Sequence, residues 1–479
     1  MGSLGVAGLQ FLQMLVFARW AGPTAAGDFA LAATFMGFLA PMAEAGISQA
    51  VIQAKNLRQE QLAALAWVSF GLGAVILLLL GMASGPVARW YGRPDLEGLM
   101  PLLGLSLLVT PFGTVQGGLI VRDFRFQLVA QIEVGVYLAG FLLLTGLLAL
   151  GWGVWAMAWS YVLRNSLAAL VCSWLTRRQY PVGWFRVSSL REIRPLLRFG
   201  TFDLSARWAD FLANYLDKLI IGKWLGAAAL GYYHLAFSLF VLPTARLGYV
   251  ITRVSYPVFA RVRDNAAQLQ AHFQQAAQDV ILILFPLYLG MALFADELIR
   301  LLYGPEWLAA APVLVAFSVA GLVRTLNAVF PQLTKGIGKP QLTTVWMLLW
   351  TFSLTGFLCL FLYLSPTAES AAWSRAGAKY AVELVLLFML GRWCGVQFGP
   401  VFRYAVRFFL ACTPVAFGVY LAGLWPGGFW PVLVLKINIF LAGLAGLIIW
   451  SPWRADFKRI ILIFSGNTPD LKMKGKSAP

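Results

Sequence analysis

The chain has 479 residues, of which 60% are hydrophobic and only 12% charged. A soluble globule keeps about a quarter of its residues charged, so this balance excludes a soluble enzyme or binding domain and points to a polytopic membrane protein. The net charge of +17 is dispersed over the loops between apolar runs, which argues against nucleic acid as a partner; two histidines and four scattered cysteines (Cys172, Cys359, Cys394, Cys412) argue against a metal site or a disulfide framework.

Fourteen apolar spans are predicted, at approximately 2–18, 26–48, 61–83, 99–121, 127–149, 152–175, 201–224, 229–251, 273–295, 308–333, 341–363, 370–391, 404–424 and 430–450. Each is near the length a bilayer-crossing helix needs. Loops after the even-numbered spans hold nearly all the excess positive charge. They include Lys55/Arg58, Arg122/Arg125, the stretch from Arg177 to Arg198, Arg261/Arg263 and the tail after Trp453. By the positive-inside rule these loops, and both termini, are cytoplasmic.

The first span ends in Phe17-Ala-Arg19-Trp20-Ala-Gly22, followed by Gly27-Asp-Phe29-Ala-Leu31-Ala32. At an offset of 204 the same landmarks return as Ile221-Gly-Lys223-Trp224-Leu-Gly226 and Gly231-Tyr-Tyr233-His-Leu235-Ala236. A second match, at an offset of about 212, pairs Tyr91-Gly92-Arg93-Pro94 with Tyr303-Gly304-Pro305. These matches predict two six-span halves of the same orientation, a parallel repeat that places substrate between its halves. Residues 1–176 form the first lobe, 177–200 a basic cytoplasmic linker and 201–393 the second lobe. Residues 394–451 add two spans outside the repeat, and 452–479 are a basic tail.

Span two contains Pro41 and Glu44, and span eight carries Pro243 at a nearly equivalent repeat position. Proline inside a helix removes a hydrogen bond and kinks it, so Pro41 and Pro243 are candidate hinges, with a static bend the equal alternative. Span seven carries the strongest signal. Asp203, Arg207, Asp210, Asn214, Asp217 and Lys218 fall within roughly 100° of arc on a helix. One charge at a bilayer centre costs roughly 2.5–3.5 kcal/mol, so a lipid-facing stripe would cost on the order of 5–10 kcal/mol. The stripe is therefore expected to line a water-filled interior. Gln10 and Gln13, at offset 204 from Asn214 and Asp217, give span one an uncharged version of it.

Arg246 and Arg324, with Asn327 nearby, are polar residues deep in the second half. With Arg207, Lys218 and Asn214 they suit an anionic group, guanidinium forks matching phosphate oxygens. Asp203, Asp210, Asp217 and Glu44 would tune these charges, or alternatively carry H+ or Na+, since burial disfavours an ionised carboxylate. Glu133, Arg164, Glu383 and Lys436 read as interhelical pairs or snorkelling side chains. Gly336-Ile-Gly338-Lys339-Pro340 is not a phosphate loop, because Pro follows the lysine and the spacing is wrong. No catalytic constellation occurs, and no catalytic residue or cofactor is assigned.

The residues Phe17-Ala-Arg-Trp-Ala-Gly, Glu44-Ala-Gly-Ile-Ser-Gln-Ala-Val-Ile-Gln53, Leu216-Asp-Lys-Leu-Ile-Ile-Gly222, Leu230-Gly-Tyr-Tyr-His-Leu-Ala236 and Leu302-Tyr-Gly-Pro-Glu-Trp307 together resemble lipid-linked oligosaccharide flippases. These belong to the multidrug/oligosaccharidyl-lipid/polysaccharide exporter superfamily, and the resemblance points to its colanic-acid-exporter-like branch. It covers spans one to twelve. It implies an all-α fold of two six-helix lobes with an alternately open cavity, moving undecaprenyl-diphosphate-linked sugar units across the bacterial inner membrane for surface polysaccharide synthesis. It implies further that the last two spans help form a groove for the lipid tail. Partners so implied are the lipid-linked oligosaccharide, membrane lipid, and the polysaccharide polymerase and glycosyltransferases. Family members usually have a short basic lead before the first helix, whereas this chain begins almost inside it. The rival readings are a drug/cation antiporter of the same superfamily, which would favour an acidic cavity, and an integral-membrane glycosyltransferase or polymerase.

Overall fold

The computed structural model describes residues 2–44, 46–53, 58–177, 192–194, 208, 211–212, 214–245, 249–323, 325–339, 341–450, 453–454, 456–458 and 460. Among them the chain is almost wholly helical and contains no strand. In a bilayer that outcome is forced: a helix satisfies every backbone donor and acceptor within its own segment. The first half runs α1 (Gly2–Glu44), α2 (Ile47–Gln53), α3 (Gln59–Tyr91), α4 (Asp95–Gly104), α5 (Ser106–Arg122), α6 (Phe126–Ala149) and α7 (Val154–Thr176). After the linker come α8 (214–224), α9 (Gly226–Pro243), α10 (Tyr249–Val262), α11 (Ala266–Leu293) and α12 (Ala295–Leu302). A 3-10 turn (Pro305–Ala310) leads into α13 (Ala311–Val323), α14 (Thr325–Gly336), α15 (Gln341–Leu364), α16 (Ala368–Trp393), α17 (Gly399–Gly423) and α18 (Phe429–Trp450).

Ten helices among the described residues are long and apolar enough to cross a membrane. Several boundaries differ from the sequence expectation for identifiable reasons. The first two predicted spans are one element, α1, that breaks direction only at Gly22, whose φ of +79° precedes Pro23. The equivalent Gly226 has φ +83° between α8 and α9. Only glycine takes that left-handed conformation at no steric cost, so the repeat preserves it. The fourth predicted span lies within one helical stretch, Asp95–Arg122, in which Leu105 between α4 and α5 keeps helical φ and ψ (−56° and −31°). Pro41 sits inside α1 without ending it, whereas α9 ends at Pro243, where the backbone widens into a π turn at Thr244 and Ala245.

The chain divides into two compact units. The first comprises residues 1–234, 300–309 and 364–368; the second comprises 235–299, 310–363 and 369–479. In the first unit α5 packs on α7, α6 on α7, α1 on α6 and α3 on α4 and α5. Its core includes Ile47, Val51, Leu62, Leu65, Val115 and Leu119, joined by Ile193 from the basic linker. In the second unit α11 packs against α13, α14 and α17, α10 against α14, and α17 pairs with α18 as a hairpin. Large apolar side chains remain exposed along α3 (Leu78, Leu79, Met82), α15 (Phe352, Leu360) and α17 (Phe409, Leu410, Phe417). Rows of this kind face hydrocarbon in a membrane protein, where exposure carries no hydrophobic penalty.

Candidate functional site

Within the first unit, segments from both sequence repeats meet at one end of the helices. The second arm of α1 crosses the start of α9 at Gly27 and Gly231. A Cβ on Gly27 would fall inside the carbonyl of Ala227, and a Cβ on Gly231 inside the carbonyl of Pro23. The offset of 204 relates Gly27 to Gly231 and Pro23 to Ala227, so a single crossing is made twice by repeat-related residues. Only glycine allows backbones so close.

Repeat-related bases secure the same end. Arg19 donates through Nε to the Leu302 carbonyl at 2.6 Å, and also to that of Leu301. Lys223 donates to the Trp90 carbonyl and lies 4.5 Å over the Trp90 ring. Each cation thus sits at the C-terminal carbonyls of a helix from the other repeat, where the helix dipole is negative. Trp307, 1% exposed, donates through its indole to the Ala18 carbonyl at 3.1 Å, and Tyr91 donates to the Leu219 carbonyl at 3.3 Å. The two copies then diverge. Asp28 is buried and accepts two hydrogen bonds from Arg93, the Nε contact being 2.7 Å, and this carboxylate beside Arg93 pushes the guanidinium's pKa above its ordinary value. At the position equivalent to Asp28, Tyr232 instead meets the Glu306 carbonyl at 3.5 Å and the edge of Trp307.

Beside this crossing, α8 carries a cluster of polar and aromatic side chains. Asp217 and Lys218 are 1% and 3% exposed. Asp217 accepts from the Tyr233 hydroxyl at 2.5 Å and from the Lys218 backbone N–H at 3.0 Å. The Lys218 ammonium lies 4.3 Å from the centroid of Tyr215. Tyr215 stacks on Phe211, which leans on Phe38 of α1, and Trp208 stacks on the same Phe38. In the sequence Trp208, Phe211, Tyr215 and Lys218 recur at intervals of 3, 4 and 3, the spacing of one helical face.

Elsewhere in the first unit, Glu44 lines a cleft of about 80 Å³ with Ser69, Ser106, Thr110, Tyr161 and Asn165. The Arg164 guanidinium beside it stands over the rings of Tyr137 and Tyr161 at 4.7 and 5.1 Å. Gln10 donates to the Tyr137 hydroxyl and Gln13 to that of Ser160. The polar residues of the first span are thus engaged with α6 and α7.

The second unit holds a feature that sequence reasoning missed. Arg375, Lys379 and Glu383 lie on one face of α16, all buried. Arg375 stands 4.6 Å over Phe237 and 5.3 Å over Trp350; Lys379 stands 5.2 and 5.0 Å over Trp346 and Trp350. The i, i+4, i+8 spacing is present in the sequence, but there only Glu383 stands out, as an interhelical pair or a snorkelling side chain. Farther along, Lys436 of α18 pairs with Glu297 of α12. Among the described residues no three His, Cys, Asp or Glu side chains gather to hold a metal ion. Cys394, just past α16, is buried, and burial pushes its thiol up to about 11, so it is unreactive at neutral pH.

Of the residues expected in the cavity, the structure brings Asn214, Asp217 and Lys218 together on α8 and places Glu44 in the separate α1/α3/α5/α7 cleft. Arg207, Asp203, Asp210, Arg246 and Arg324 lie outside the described residues, as does the side chain of Asn327.

Comparison with known proteins agrees with this architecture. The family described as "Polysaccharide biosynthesis protein" matches residues 16–312. The chain is 26% identical over 386 residues to the teichuronic acid biosynthesis protein TuaB of Bacillus subtilis, covering 79% of this chain and 78% of that one. It is 29% identical over 323 residues to the lipopolysaccharide biosynthesis protein WzxC of Escherichia coli, covering 67% and 65%. Its fold resembles that of the lipid II flippase MurJ in an inward closed conformation, with a TM-score of 0.76 at 12% identity over 95% of this chain and 98% of that one. An inward-facing multidrug resistance transporter of the MOP superfamily gives a TM-score of 0.64 at 18% identity, over 78% and 92%. With more than half its length matched, this membrane-spanning chain belongs to the polysaccharide biosynthesis protein family.

Proposed function

We propose that this protein is a flippase that moves undecaprenyl-diphosphate-linked oligosaccharide repeat units across the bacterial inner membrane for surface polysaccharide synthesis. The observation that carries the reading is the repeat-paired crossing of α1 and α9, two backbones closed on each other at Gly27 and Gly231 and held by cations on helix-end carbonyls. With both termini cytoplasmic, that end is periplasmic and the crossing is a closed outer gate. Contacts of this kind, tight but with little apolar interlock, separate without unfolding either helix. The names of the relatives, biosynthesis proteins of surface polymers, and of the MurJ structure, a lipid II flippase, support the same substrate class.

The headgroup is polar and anionic, and carrying it through hydrocarbon unaided is prohibitive. Arg207, Lys218, Arg246 and Arg324 are the proposed diphosphate contacts, and in the second unit Arg375 and Lys379 are proposed as further cations for the anionic substrate. Asn214 and Asn327 supply neutral hydrogen bonds, and Asp203, Asp210, Asp217 and Glu44 balance the charge. The aromatic face of Trp208, Phe211 and Tyr215 suits sugar rings, which present C–H faces to π systems. Pro41 and Pro243 are the proposed hinges. The lobes 1–176 and 201–393, the linker 177–200 and the tail 452–479 follow the repeat, and the hairpin at 394–451 borders the lipid tail. The substrate's makers and users, glycosyltransferases and a polymerase, are the proposed partners; no bond is made or broken by this chain.

The test is export. Purified protein in liposomes is expected to transfer a fluorescent polyprenyl-diphosphate sugar between leaflets, and Arg207→Ala or Arg324→Ala to abolish transfer at normal protein level. Undiminished transfer by both variants would remove the headgroup assignment. Absence of transfer by the unaltered protein, with drug efflux in its place, would favour the antiporter reading.

A further inference from the structure

Arg375, Lys379 and Glu383 form a ridge about 12 Å long on α16, near the middle of a 26-residue helix. Glu383 is 4% exposed, and neither of its carboxyl oxygens has a hydrogen-bond partner. The indole N–H of Trp346, on the facing α15, also has none. Buried polar atoms of native proteins are nearly always satisfied, so an orphaned carboxyl at this depth calls for an explanation.

Its surroundings supply one. α15 contributes Trp346 and Trp350 and no Asp, Glu, Lys or Arg; α13, which Tyr380 reaches through the Val319 carbonyl, has none either. From α9, the stretch 235–243 that provides Phe237 is likewise uncharged. On α16 itself the charged groups are Lys379 one turn away, Arg375 two turns away, and the more distant Glu369 and Arg392. Among the described residues, the positive charge near Glu383 therefore comes from Lys379, with Arg375 one turn farther off, and no donor reaches its carboxyl.

We infer that Glu383 is a proton-exchange group linked to headgroup binding: it takes up one proton when a polyprenyl diphosphate engages the second-half cations and returns it on release. The inference rests on the flippase reading. An arriving diphosphate cancels the potential of Lys379 and Arg375. An ionised Glu383 would then face like charge in a low-dielectric setting without a hydrogen bond, and a carboxylate so placed neutralises. One proton from water forms the O–H bond, the ridge passes from a formal charge of +1 to +2, and the proton returns to water when the anion leaves. Linkage makes the effect reciprocal: lower pH tightens diphosphate binding by the same factor that binding favours protonation.

The experiment is calorimetric titration of the full-length protein in nanodiscs with a short-chain polyprenyl diphosphate, in buffers of differing ionisation enthalpy. The unaltered protein is expected to take up close to one proton more per ligand than Glu383→Gln. That variant is expected to bind at least as tightly, about tenfold tighter where Glu383 is otherwise ionised. Equal proton uptake by the two proteins overturns the inference. Should Glu383→Gln fail to fold, the unaltered protein still decides through its affinity against pH, expected to weaken about tenfold per unit over the range where uptake is seen. A pH-independent affinity overturns it too. Binding without proton uptake defeats this inference alone, whereas no binding of the diphosphate at all defeats the flippase reading beneath it.

Discussion

The α1/α9 crossing and the α16 ridge are built on opposite principles. At the crossing, Gly27 and Gly231, Gly22 and Gly226, and Arg19 and Lys223 are repeat partners, and only the Asp28/Tyr232 position described above departs from the pairing. On α16 the second half has two cations and a carboxylate, while α7, the last helix of the first half, offers Arg164 alone over two tyrosines. On the reading proposed above, the gate keeps the symmetry of a duplication and the substrate-facing ridge does not.

The strongest way to break this contrast is to overfill the crossing. Gly27→Val and Gly231→Val should each cost about 1–3 kcal/mol of gate closure, the range for overpacking, and reduce export by roughly 5- to 150-fold. Surface polymer, measured against protein level, should fall alike in both; loss in one alone would mean that the two copies are not mechanically equivalent. The asymmetric side is probed by charge removal. Arg375→Gln together with Lys379→Gln is expected to lower transfer about tenfold, the scale of one lost charged hydrogen bond to the substrate, and Arg164→Gln less than about twofold. Equal losses would place recognition in both halves. The mildest test trims the carbonyl-capping cations. Arg19→Ala and Lys223→Ala should each cost about threefold in transfer, because exposed charge contacts are screened. The double variant should multiply the two effects, since the sites share no partner.

Much of the crossing could be read from the residues themselves, because the constraint leaves a mark in the alphabet. A left-handed backbone and a backbone-to-backbone contact both demand glycine, and at offset 204 Gly22/Gly226 and Gly27/Gly231 coincide with a basic residue and a tryptophan. The α16 ridge could not be read in this way, because a buried lysine and a lysine reaching for the interface are spelled identically. What distinguishes Lys379 is Trp346 and Trp350 on a neighbouring helix, and such a partnership is tertiary. Asp28 and Arg93 belong to repeat landmarks, but their pairing joins a residue of α1 to the turn after α3, 65 positions away, which the sequence does not show. Pro101, Pro111 and Pro286 all sit within helices, so a proline does not by itself announce an interruption.

The pairing of Lys436 with Glu297 bears on how the chain is assembled. Glu297 is made long before its mate, which resides in the final helix, so the nascent protein carries an acid whose complement does not yet exist. The last hairpin completes the account when it docks. A polypeptide truncated before α18 would lack Lys436 and so leave Glu297 without this ion pair.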